Sequence, residues 1–337
     1  MHFRHCILLP LLLPSALPLL AADKPPFQDI DKHALDATIA DEASIESLAA
    51  YLAKPAKDDA DKARAIFRWL ADRIAYDVTL LHQAEPNRAE NVLKNRKAVC
   101  QGYADLYCHL GKAAGLEVVM VRGFARGYSG STAIDRVPEP NHRWNAVKLN
   151  GEWRLLDATW GAGYLMNNEF HKSLREFFFL TPPDKLIFSH YPLEPEWQLL
   201  TPPVKDEEFI KYVKSVNTHL LYHGVATEDV KKTIAAPNFR EMVKPLDLTD
   251  GKMTIKEAPL SHYLKAGGKY RFKFESESSE FPRMAIINQN QWTILQQKGT
   301  TFETTATLRA DQNCKLVRFK QKGNNRMYNT FLEYVVE

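Results

Sequence analysis

The sequence predicts an α+β chain: helices first, then an antiparallel ribbon, then a strand-rich C-terminal third. Three observations carry this. Apolar residues recur at helical spacing along 58–77. Asn150-Gly151 stands between two apolar runs, the strongest short-range hairpin signal. From about residue 252 onward, short alternating runs separated by turn residues follow the pattern of a β-sandwich.

With 337 residues the protein is long enough for two domains and a substantial core. It carries 44 Lys+Arg against 41 Asp+Glu, too even a balance for a nucleic-acid partner. Neither an internal repeat nor a P-loop or Gly-rich dinucleotide fingerprint occurs, and no acidic cluster suggests calcium. The start has its own character. Arg4 and two histidines precede an uncharged run broken by Pro10, Pro14 and Pro18, and Ala21-Ala22 precedes Asp23. That is the layout of a secretory signal, too short to span a bilayer. Residues 1–22 are therefore expected to be a signal peptide, and the mature protein to be secreted or periplasmic without stable membrane insertion.

Along the mature protein, Ala63, Ile66, Phe67, Leu70, Ala71 and Ile74 mark one face of a helix that Asp58 or Asp59 can cap. A second helix runs over 100–114 and stops at Gly115. LEVVMVRGFA at 116–125 is a strand-like run, and 126–141 is a loop. HRWNAVKLNGEWRLLDATW then forms two short strands about the Asn-Gly turn. Proline-rich segments at 182–203 read as packing and connection. The organisation expected is a first domain over 23–205 with N-terminal helices, and an immunoglobulin-like β-sandwich over 206–337.

Cys100 and Cys108 fall on one helix, about 12 Å apart at ~1.5 Å rise per residue. A disulfide needs Cα atoms within about 7 Å, so they cannot bridge. No C-x-x-C or closely spaced histidine supports zinc, and no metal or cofactor is expected. Cys108 lies mid-helix between Leu106 and Leu110, as an apolar filler does. Cys100 stands at the helix N-terminus, where free N–H groups and the helix dipole stabilise a thiolate. A nucleophilic cysteine also needs a base and an orienter. With a two-residue turn, Leu149 faces Glu152, Trp144 faces Asp157, and His142 faces Thr159. His142 and Asp157 are then diagonal neighbours on the face carrying Trp144, Ala146, Trp153 and Leu155. The Cys100 helix is expected to pack on that apolar face. A slip of one residue would break the arrangement.

VCQGYADLYCHLGKAAGL and NHRWNAVKLNGEWRLLDATWGAG resemble the core of the transglutaminase-like superfamily: a cysteine opening a helix, a His-x-Trp-x-x-Val strand and an Asp-x-Thr-Trp strand. IAYD at 74–77 looks like the segment that often precedes the cysteine. FFFLTPPDKLIFSHYPLEPEWQLL is similar to the segment after the core in the kyphoscoliosis-peptidase branch. The resemblance covers roughly 60–205; Arg143 departs from it, standing where a small residue is usual. It implies a papain-like/transglutaminase-like core, with a Cys-bearing helix packed on an antiparallel sheet.

It also implies Cys100 as nucleophile, His142 as general base and Asp157 as orienter, roles that the chemistry of the three groups supports. The Cys100 amide would hold one side of an oxyanion. Trp69, Gln83 and Gln101 are candidates for a second donor. Trp144 and Trp160, with Gln101, are candidate substrate contacts; packing within the hairpin is the competing role for the two tryptophans. The expected activity is peptidase, amidase or transglutaminase acyl transfer on a protein or peptide substrate, such as a cell-envelope component. A non-enzymatic binding or scaffold module with the same fold is the alternative.

Overall fold

The computed structural model describes residues 27–126, 134–246, 253–277, 279–323 and 325–337. The expected signal peptide and residues 127–133 of the 126–141 loop lie outside them. No helix among the described residues is long and apolar enough to cross a membrane.

Five helices open the fold: α1 (Gln28–Leu35), α2 (Ile45–Ala53), α3 (Asp59–Arg73), α4 (Ala89–Asn95) and α5 (Cys100–Ala113). Asp58 caps α3, its carboxylate accepting from the Asp61 amide at 2.9 Å. The helix stops at Arg73, short of the expected Asp77. The next residues have a better use for their backbone groups, because Ala75–Tyr76 pairs in parallel with Lys97–Ala98. That two-residue ladder brings Tyr76 beside the entry to α5. The buried Asn87 fixes the same entry, its Oδ1 accepting from the Val99 amide at 2.9 Å. Gly115 ends α5 as expected, with φ of 80°.

Arg64 ties the helices to the layer beyond. It is 2% exposed, grips Asp31 of α1 through two 2.6 Å bonds, and reaches Glu176 at 2.5 and 2.8 Å. Phe27, Phe67 and Phe179 surround the guanidinium. Arg64→Met should lower the free energy of unfolding by about 3 kcal/mol. That is the low end for breaking a buried pair, since Glu176 can return to water. Urea denaturation checks this, and a change under about 1 kcal/mol would show the network to be incidental.

The sheet has four antiparallel strands: β1 (Val118–Ala125), β2 (His142–Leu149), β3 (Glu152–Leu156) and β4 (His190–Pro192), in spatial order β3-β2-β1-β4. Asn150 and Gly151 have φ of 52° and 83°, as a type I′ turn requires. Leu149 faces Glu152 as expected, and the register holds as far as Asn145 opposite Leu156. There the pairing ends. Asp157 leaves the strand to cap α6 (Ala158–Ala162), so it is not paired with Trp144, nor Thr159 with His142.

The helix also packs on the opposite face from the one expected. Asn145 Nδ2 donates to the Ala104 carbonyl at 3.0 Å and to Cys108 Sγ at 3.2 Å, placing α5 on the Asn145/Val147 side. The Trp144/Leu155 side is covered by Pro183, Leu186, Ile187 and Trp197. The sheet is thus buried on both faces.

The domain expected over 206–337 opens with helices, Asp206–Ser215, Thr218–Tyr222 and Thr227–Ala235, the first two on the segment DEEFIKYVKSVNTHLL whose pattern suits a helix. Strands dominate only from Met253. Two sheets follow, one built on Lys269–Ser276 and Thr301–Thr307, the other on Arg283–Asn288, Asp311–Lys322 and Asn325–Val336. Phe272 and Phe274 of the first meet Met284, Leu316 and Phe331 of the second in one core. Leu220 and Leu221 of the helical segment join that core, which fixes the helices against the sandwich. Cys314 is buried there as a free thiol.

Candidate active site

Cys100 is the first residue of α5 and His142 the first of β2, and both are almost fully buried. The thiol lies within hydrogen-bonding reach of the His142 ring and of the Arg143 amide. Burial alone would raise its pKa. The imidazolium charge of His142 and the two hydrogen bonds outweigh burial and bring the pKa below the ordinary thiol value. His142 moves the other way, to about 10, because the charges of Asp157 and Cys100 overcome its desolvation. The pair therefore favours thiolate and imidazolium over the neutral groups.

His142 Nε2 is engaged by Asp157 Oδ2 at 2.7 Å, which leaves Nδ1 for the thiol. Asp157 is completely buried yet fully satisfied. Its Oδ1 accepts from the Thr159 and Trp160 amides at 2.8 and 3.1 Å, and its Oδ2 also accepts from His190 Nε2 at 3.1 Å. Burial would push this carboxyl up; the charge and hydrogen bond of His142, then those of His190, hold it well below the usual carboxylate range. Arg143 departs from the family pattern, and what it gives the thiol is a backbone amide.

His190 is the residue that motif reading missed. It stands in β4, opposite Ala125, and its Nδ1 meets Ser189 Oγ at 2.8 Å. Desolvation lowers its pKa, so it sits neutral with the proton on Nε2, pointing at Asp157. Its ring packs edge-on against Trp160 (4.6 Å) and Trp144 (5.1 Å). His142, Asp157 and His190 also have the composition of a metal site. The 2.7 Å contact is a hydrogen bond, shorter than the roughly 3.3 Å between two ligands of one tetrahedral zinc.

The site opens on a cleft of about 1680 Å³, lined by His142, Trp160 and Tyr76 among others. Trp144 does not line it: at 2% exposure it packs beneath His142 and His190. Gln101 is partly exposed and lies outside the cleft lining. Two candidate oxyanion donors are occupied elsewhere. Trp69 Nε1 donates to Glu42 at 2.9 Å, and Gln83 Nε2 to the Thr79 carbonyl at 2.7 Å. Tyr76 lines the cleft and lies near enough to Cys100 to feel its charge. Its phenol is held above the ordinary value by burial and by the negative charges of Cys100 and Asp157, and so keeps its proton.

A thiol at a helix tip, an imidazole at the start of one strand and a carboxylate just past the next make a Cys-His-Asp arrangement on an α+β core. Residues 46–158 match the model of the transglutaminase-like superfamily, and the chain is similar to proteins of the kyphoscoliosis-peptidase branch. It is 27% identical over 330 residues to kyphoscoliosis peptidase of Mus musculus, covering 96% of this chain and 45% of that protein. Identity to the Homo sapiens protein is 32% over 199 residues, 58% of this chain and 30% of the relative. Hillarin of Drosophila melanogaster is 30% identical over 209 residues, 56% of this chain and 25% of the relative. The chain spans less than half the length of these relatives. The mouse match takes in the C-terminal part as well, where no sequence motif had suggested a relative.

Proposed function

We propose that this protein is an exported thiol acyl-transfer enzyme acting on peptide or glutamine-type amides of a protein substrate, such as a cell-envelope component. The observation that carries the chemistry is the Cys100 thiol held against His142, itself held by the buried Asp157, with His142 on the lining of an open cleft. The Cys100 thiolate attacks the carboxamide carbon. The C–N bond breaks as the His142 imidazolium gives its proton to the leaving amine, and a thioester remains. Water or a second amine then attacks the thioester, His142 takes its proton, and the sulfur leaves as thiolate. Water gives hydrolysis; an amine gives transamidation. Export rests on residues 1–22 alone.

Alkylation of Cys100 by iodoacetamide tests the reading, with the modified residue found by peptide mapping. The rate should rise with pH through the lowered thiol pKa, hold a plateau above it and change again near 10, where His142 loses its proton. His142→Ala should abolish the plateau. A rate that instead climbs smoothly to the ordinary thiol range near ~8.5 would leave a binding or scaffold module as the better reading. Incubation with a peptide library, with and without added amine, separates hydrolysis from cross-linking.

The Cys100 amide and the Tyr76 hydroxyl supply the two donors for the oxyanion of each tetrahedral intermediate. Tyr76→Phe should cut turnover by about 10²-fold and leave iodoacetamide labelling, which forms no oxyanion, nearly unchanged. Equal losses in both assays would place Tyr76 in the packing of the site.

A further inference from the structure

Two arginines in the cleft are without a carboxylate. Arg126 follows β1; its amide donates to the Ser189 carbonyl at 2.9 Å and its Nη1 to the Val216 carbonyl at 2.8 Å. Arg175 lies between the rings of Phe178 and Tyr222, at 5.1 and 5.0 Å from their centroids. Its amide donates to the Gly161 carbonyl at 2.9 Å, on the short helix that Asp157 caps. Both line the same cleft as His142. Among the described residues neither forms an ion pair with a carboxylate; the charge of the buried Asp157 reaches Arg175 only at a distance. The carboxylates and the other cations of the cleft are matched: Glu176 by Arg64, Glu241 by Lys244, and Lys214 by Asp135.

Each of these arginines is half-buried, and burial without a counter-charge is unfavourable. The aromatic clamp on Arg175 holds the guanidinium in place, so little freedom is lost when a ligand meets it. A carboxylate offers the planar two-oxygen partner that such a fork binds best. One stretch of the lining is apolar, with Tyr164, Leu165, Met166 and Phe170. A ligand with one carboxylate and apolar neighbours is a peptide segment rather than a polyanion.

We propose that Arg126 and Arg175 form an anion subsite that selects peptide substrates bearing a carboxylate near the reacting amide. The inference deepens the enzyme reading above and rests on it. A substrate carboxylate can come from a Glu or Asp side group or from the free C-terminus of a peptide, and the geometry is common to both.

The test uses the intact protein with Cys100→Ser and three fluorescent peptides of one sequence. One has Gln and an amidated end, one Glu and an amidated end, one Gln and a free carboxyl end. Anisotropy titration should show one or both acidic peptides binding on the order of tenfold tighter than the neutral one. Which of them does so names the source. Arg126→Gln with Arg175→Gln should erase the difference, Arg175→Lys should keep part of it, and thermal unfolding reports whether each variant is folded. Arg126→Gln alone serves if the double variant is not. Three peptides binding alike, no peptide binding, or a preference that survives in a folded variant overturns the subsite. Iodoacetamide labelling of the wild-type thiol separates the two ideas. A reactive Cys100 with no charge preference removes only the subsite. An unreactive Cys100 with the preference intact removes only the enzyme.

Discussion

Cys100→Ser is expected to remove acyl transfer while leaving the fold in place. The residue is 5% exposed, and its surroundings are polar on one side: the His142 ring and the Arg143 amide can serve an oxygen as they serve sulfur. The stability change should stay within about 1 kcal/mol. Chemistry is another matter. A serine hydroxyl ionises far above any thiol, and the features that lower the Cys100 pKa cannot close that gap. Losing the nucleophile of such a unit costs on the order of 10⁵- to 10⁶-fold in rate. Peptide turnover measured beside a melting curve decides the matter. Residual activity near wild type would mean another nucleophile, and a large fall in melting temperature would mean that Cys100 is structural.

How far the site was legible follows from the range of each interaction. The helix that Cys100 opens is local, ended by the Gly115 stop, while its uncapped tip at Val99 is held from Asn87, twelve residues away. The hairpin register is local too, because an Asn-Gly turn fixes which residues face each other, and Leu149 does face Glu152. What failed was non-local. Alternation along β2 could not say which face the helix takes, since Trp144 and Ala146 are buried on one side and Asn145 and Val147 on the other. Extending the ladder past Leu156 gave a pairing that does not form, yet Asp157 still reaches His142. The strand ends there because four donors converge on that one carboxylate. His190 was beyond local reasoning: it enters through the pairing of β4 with β1, two strands distant in sequence. Its segment was noticed only as a resemblance to a family branch.

Asp157→Asn should slow the reaction by about 10³- to 10⁴-fold, less than loss of Cys100 does, and should also destabilise the fold. An asparagine has one oxygen for a place where two oxygens each accept two N–H bonds. If its oxygen keeps the Thr159 and Trp160 amides, its NH₂ group confronts His142 Nε2 and His190 Nε2. His142 must then carry its proton on Nδ1, where it can no longer take one from the thiol. If the amide turns round, the cap of α6 is lost, at about 1 kcal/mol. Either way buried donors are mismatched, for about 1–3 kcal/mol in all. The pH profile separates orientation from general damage. Without the negative partner, the His142 limb near 10 should shift to lower pH. His190→Gln, which keeps an N–H donor for Asp157, should be milder than His190→Leu, and both milder than Asp157→Asn. Wild-type rates in a folded Asp157→Asn protein would remove the carboxylate from the mechanism and leave Cys100 and His142 to act as a pair.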